Sequence, residues 1–385
     1  MISLRAVLAT LATIALAGPA AADDSGNFIY RLGQDTTSVE RYTRSAAKLE
    51  LDQVGRAPRT LRRHYTIDSK GGAVTHVAVT ATPPGATAPF QTVDATFGAD
   101  SMRMEVKTAT GAVQRVAVAV PPGAVLVVSG SPWPCYEAPI MKLVQGKSDT
   151  LSVPMYLFGA GSMNTLTLRK HGKDSVDVSN DHLDHFRVRV DKAGHVLGVV
   201  PISGTQKFAA ERVEKLDVDA YASAFMAREQ AGAGLGTLSP RDSVKAVAGG
   251  AALWIDYGRP SKRGRVVFGG IVPYGEVWRT GANAATQFRT DKALDFGGTV
   301  VPAGFYTLWT LPTATGWKLI VNSETGQWGT AHKSEKDLYT IDMKMSALPE
   351  VVERFTIAVD AAEQGGTIRL DWDTTRASAA FTVQK

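Results

Sequence analysis

The sequence predicts a mostly β chain: an N-terminal antiparallel curved sheet or half-barrel plus a C-terminal β-sandwich, joined by one helix and a Gly-rich linker. Three observations carry this. Short runs of alternating apolar and polar residues recur in both halves, split by Gly, Pro and Asp. One Ala-rich stretch without internal Gly or Pro interrupts them. A Gly-rich segment and a proline follow that stretch directly, which marks a domain border.

The first half supplies the clearest strands. Phe28–Leu32, Arg63–Ile67 and Thr75–Val79 are short and rich in β-formers. Val116–Val120 and Val125–Val128 flank the turn Pro121-Pro-Gly123, and Thr165–Leu168 and Val176–Val178 flank His171-Gly172. Phe186, Val188 and Val190 share one face of their run, with Arg187 and Arg189 on the other. Asp191-Lys-Ala-Gly194 then turns the chain into His195–Val200. One dry face and one wet face suit a curved antiparallel sheet. Val218–Gln230 is the helix, and Gly232–Gly236 the linker. After it, Leu253–Tyr257, Phe305–Thr310, Trp317–Val321, Arg354–Val359, Thr367–Trp372 and Ala379–Val383 are again short strands. The expected division is 1–22 signal peptide, 23–217 first domain, 218–245 helix and linker, and 246–385 second domain.

Composition bounds the function. The chain has 385 residues, 44% hydrophobic and 21% charged, which is ordinary for a globular protein. The net charge is +5, with both signs interspersed, so nucleic acid is not an expected partner. Arg5, the apolar run Ala6–Ala17 and Ala20-Ala-Ala22 form the pattern of a secretory signal peptide. Its removal after Ala22 would take away one positive charge and leave a periplasmic or secreted chain without a transmembrane segment. Cys135 is the lone cysteine, so no intrachain disulfide is possible. With no neighbouring His to activate it, it reads as a small packing residue.

Three runs carry a resemblance: Asp256–Arg265, Phe268–Thr286, and Val301–Leu308 with Ile320–Gly329 downstream. Together they make the second half resemble the DUF2911 family, a family of unknown function. The resemblance implies a domain border and a β-rich fold, and it carries no activity. The first half loosely resembles envelope β-sheet domains of lipid-carrier type.

The candidate ligand-binding patch lies in those runs. Tyr257, Arg259, Arg265, Tyr274, Trp278, Arg279 and Asn283 crowd into one stretch, with Trp328 after a later turn. Arg offers paired donors to carboxylate or phosphate, and aromatic rings offer flat apolar faces. Such a mixture suits a carbohydrate or an anionic glycan. Equally, Arg259 could only tie loops together, and Trp278 could belong to the core. A second cluster, Asp181-His-Leu-Asp-His185, invites a metal, but residues three apart on a strand face opposite sides. No metal and no cofactor is expected. Neither G-x-S-x-G nor H-E-x-x-H occurs. Gly232–Gly236 follows a helix rather than a strand, unlike a phosphate-binding loop. The preferred expectation is non-catalytic binding of a carbohydrate or other envelope component. The alternatives are a lipid or apolar-ligand carrier through the first domain, a hydrolase of envelope glycans or esters, and a structural or partner-binding module.

Overall fold

The computed structural model describes residues 24–128, 132–158, 161–181 and 184–384. The candidate signal peptide, residues 1–22, lies outside them, as do His182 and Leu183. The chain is mostly β, with two large sheets and a connecting helix.

The first sheet has fifteen strands. Eight run up and down from Asp24–Leu32 to Val113–Ala119, each antiparallel to the one before. Seven more run from Val125–Val127 to Ala209–Val213, and only the first two of these pair parallel. The two runs meet where Asp24–Leu32 pairs with Ala209–Val213. Period-two alternation sends Phe28, Tyr30, Tyr42, Leu51 and Tyr65 into one core. Ile29, Val39 and Val54 point to the opposite face.

Each face is covered by a helix. Helix α1 (Pro134–Gln145) places Cys135, Tyr136, Ile140 and Leu143 in the main core. The sequence does not announce this helix, and its physical cause is taken up below. Cys135 is buried there, and burial pushes its thiol up to about 12. Helix α2 (Val218–Gln230) sets Val218, Ala222 and Phe225 against Ile29, Val39 and Val54. Asp217 caps it, its side chain accepting from the Ala220 N–H at 2.9 Å.

Two acids are fully buried in the first domain, with opposite environments. Glu137 of α1 meets two arginines. Its Oε2 accepts from Arg44 at 2.7 Å, and its Oε1 from Arg212 at 3.3 Å and the Val196 N–H at 2.8 Å. Glu40 makes no ion pair among the described residues. It accepts from Tyr30 Oη at 3.0 Å and Gln53 Nε2 at 3.2 Å. Burial raises its pKa from 4.5 to about 8, although those two hydrogen bonds pull it down. A carboxyl raised in this way holds a proton in the folded state that the unfolded chain has lost. Stability therefore falls as pH rises through the window from about 4.5 to about 8, and levels off above it. Thermal unfolding across that window should show the decline in the native protein and a flatter curve in Glu40→Gln. Parallel curves would mean that Glu40 ionises in the fold as easily as in water.

The second sheet has nine strands, from Arg241–Ala248 to Gly365–Val383. Its first strand thus begins inside the stretch that the sequence reads as linker. The two longest strands, Asp337–Ala362 and Gly365–Val383, shift register between Ala347 and Thr356. There the sheet folds back: Gly249 N–H reaches Ala362 and Phe355 N–H reaches Pro260. The enclosed core centres on aromatic rings. Trp278 stacks on Trp372 at 5.9 Å and meets Phe355 edge-on at 5.0 Å. Phe268 meets Trp317 at 4.6 Å.

Arg263 fastens the two domains. It reaches Asp35 at 2.5 Å, and its carbonyl accepts from the Gln34 N–H at 3.1 Å. Next to it, Lys262 pairs with Asp373 at 2.5 Å within the second domain. The tip of the first β-hairpin is thereby held against the second domain.

Candidate functional site between the domains

Above this fastening lies a cavity of about 410 Å³. The first domain contributes Leu32, Ala57, Thr205, Lys207 and Phe208, and the linker contributes Leu238 and Ser239. The second domain contributes Ser261, Arg265, Trp278, Arg279 and Asn283.

Three cations reach this cavity, and none of them forms an ion pair among the described residues. Arg279 donates only a long 3.4 Å bond to the Gly329 carbonyl, and its buried Nε has no partner. Desolvation lowers its pKa to about 10, partly offset by the charge of Asp184. Asp184 is itself occupied: its Oδ1 accepts from the Thr205 N–H at 2.7 Å, the Thr205 hydroxyl and the Gln206 N–H. It thus fixes the turn that presents Lys207. Burial lowers the pKa of Lys207, and the nearby Arg279 and Arg265 add to this. Arg265 is lowered by burial and then by Arg263. It donates to two backbone carbonyls, Lys262 at 2.9 Å and Ser261 at 2.6 Å. The carbonyls aim its guanidinium without neutralising it. Hydroxyls of Thr205 and Ser239 and the amide of Asn283 supply further hydrogen-bonding capacity beside these charges.

The structure sorts the sequence candidates into two groups. Arg265, Trp278, Arg279 and Asn283 come together on the cavity. Tyr257, Arg259, Tyr274 and Trp328 do not line it. Tyr257 is a core residue, its hydroxyl accepting from the Ile357 N–H at 3.0 Å. Arg259 ties strands together through Asp242 at 2.8 Å and Thr356 at 2.8 Å. Tyr274 and Trp328 stand on the surface, 46% and 43% exposed. Sequence reasoning missed Lys207, Phe208 and Leu238. They lie in irregular segments, where no periodicity tells which way a side chain points.

Gly329 backs the site: a Cβ there would overlap Arg279 Cδ and the Asn283 carbonyl. Gly329→Ala should push the guanidinium aside at about 1–3 kcal/mol of stability. An unchanged denaturation midpoint would show that the loop yields freely. For the Asp181–His185 cluster, Asp184 and His185 are placed apart in role: His185 sits in a strand near Asp177 at 3.7 Å. Among the described residues no group of three or more His, Cys, Asp or Glu side chains is placed to hold a metal ion. No helix among them is long and apolar enough to cross a membrane.

With that geometry in place, the chain can be set beside known proteins. Residues 239–381 match the family model of DUF2911. Its description reads protein of unknown function. The match begins at Ser239, on the cavity wall, and takes in Arg265, Trp278, Arg279 and Asn283. Lys207, Phe208 and Leu238 lie outside the DUF2911 segment. No curated protein matches the chain. Among solved structures, a protein from Lactobacillus plantarum is similar at 11% identity. That match covers 94% of this chain and 100% of the other, with a TM-score of 0.14.

Proposed function

We propose that this is an exported envelope protein that binds a small anionic ligand, without catalysis, in the cavity between its domains. The ligand class is a carboxylate or phosphate ester, such as an acidic sugar. One observation carries the reading: Lys207, Arg265 and Arg279 converge on one cavity, and none of them forms an ion pair among the described residues. A half-buried charge without a directly bonded counter-ion is costly, and an incoming anion lowers that cost. The described lining has hydroxyls and cations but no Asp, Glu, His or Cys. Export is supported by the Arg5 to Ala22 pattern.

Isothermal titration calorimetry with a hexuronate, a hexose phosphate and the parent hexose tests the site. An acidic sugar should bind more tightly than its neutral parent. Charge-assisted hydrogen bonds contribute about 1.5–3 kcal/mol, so Arg279→Gln should weaken binding by at least roughly tenfold. Its melting temperature should hold or rise, because an unpaired buried cation is removed. Equal affinity for neutral and acidic sugars would overturn the anion reading, and product formation would overturn the non-catalytic one.

A further inference from the structure

A second cavity, of about 300 Å³, opens in the first domain beside the start of α1. Its wall sets aromatic Tyr30, Trp133, Tyr136 and Phe186 beside polar Thr37, Ser38 and Gln206. It also shares three residues with the junction cavity: Ala57, Phe208 and Leu238 line both. These three form a common apolar threshold. Lys207 stands on the junction side only, while its neighbour Phe208 serves both sides. Two polar residues of the second cavity, Tyr30 and Gln53, are already turned to Glu40. Arg63 lines both this cavity and a third of about 370 Å³. That third space is walled by Val79, Val93, Met104 and Val116 on the same face of the sheet.

We infer that the junction and aromatic cavities form one site for an anionic amphiphile, with its charged head at Lys207 and Arg279 and its apolar tail across Phe208 and Leu238. This rests on the anion-binding reading above and names the ligand class more closely. The order along the site is what an amphiphile requires: unpaired cations, then an apolar neck, then aromatic walls. A small acidic sugar would use only the first part. Each methylene that crosses the neck leaves water for an apolar wall, which is worth about fourfold in affinity.

Calorimetry with acetate, octanoate and octanol tests both levels. Octanoate should bind far more tightly than acetate, and more tightly than octanol. Arg279→Gln should weaken octanoate and acetate together. Ser38→Trp, at a position that lines the second cavity and not the junction cavity, should bring octanoate down to the affinity of acetate while leaving acetate unchanged. Gly55→Leu, also on the second cavity alone, serves the same purpose should Ser38→Trp fail to fold by circular dichroism. Octanoate and acetate of equal affinity would overturn the amphiphile inference and leave the anion site standing. Octanol as tight as octanoate would overturn the anion site as well, and so would no binding of either acid.

Discussion

Glu137→Ala should lose about 3–5 kcal/mol of stability, the cost of breaking a buried ion pair from one side. In a domain of this size that corresponds to a fall of roughly 10 °C in melting temperature. The carboxylate is wholly buried and serves four donors on three segments. Arg44 and Tyr42 come from the second strand, Arg212 from the last strand of the sheet, and the Val196 N–H from the strand after the Asp191 turn. Deleting it strands two guanidinium groups. Arg44 would keep the Pro134 carbonyl at 2.5 Å, and Arg212 would keep its ion pair with Asp24 at 3.2 Å. That leaves one carboxylate for two guanidinium groups. Glu137→Gln keeps the shape and both acceptor directions in part, so its loss should be intermediate. Urea unfolding decides the matter: a loss below about 1 kcal/mol for the alanine variant would mean that Asp24 alone balances both arginines.

Trp278→Ala should be equally damaging to the second domain, at about 3–5 kcal/mol. The indole is packed among Trp317, Trp372, Phe268 and Phe355, with ring centroids 5.0 to 6.4 Å away. Its N–H donates to the Gly281 carbonyl at 3.1 Å, and its backbone exchanges hydrogen bonds of 2.7 and 2.8 Å with Thr310. Removing the ring opens a large void and unfastens the loop that carries Asn283. Trp278→Phe should recover part of the loss. Arg279→Gln, one residue away, should leave stability intact and act on ligand affinity alone. Trp278 and Arg279 therefore cannot be treated as one binding unit. A shared phenotype in thermal unfolding would contradict that division.

Much of the fold was legible because strands announce themselves locally. Phe186, Val188 and Val190 alternate as a half-buried strand must, and all three are buried. Helix α1 was not legible. Its segment begins Pro-Trp-Pro, and Pro139 sits inside the helix, where proline removes a hydrogen bond and crowds the preceding turn. Burial of Cys135, Tyr136, Ile140 and Leu143 in the concave core outweighs that local cost, and no neighbouring residue in the sequence reveals it. For the candidate site, residue chemistry was readable and direction was not. Arg279 and Arg265 stand out as donors wherever they point. Tyr257 could have been set aside from sequence alone, since it shares the inward parity of Leu253 and Ile255. Lys207 and Leu238 come from outside the patch, and only the meeting of two domains brings them to it.

The pairing of the first strand with the last strand of the large sheet bears on how the chain acquires its shape. Asn27 and Val213, neighbours across that seam, are separated by 186 residues of chain. Nearly every other pairing in the sheet joins strands adjacent in sequence, so two blocks of hairpins can assemble from short-range encounters. The seam cannot close until both of its strands, far apart in the chain, have met. Until then the strand Asp24–Leu32 presents an open edge with Phe28 and Tyr30 uncovered, a template for pairing with another chain. The interval between making residue 32 and residue 209 is thus the stretch of the molecule's history in which a holding chaperone would matter most.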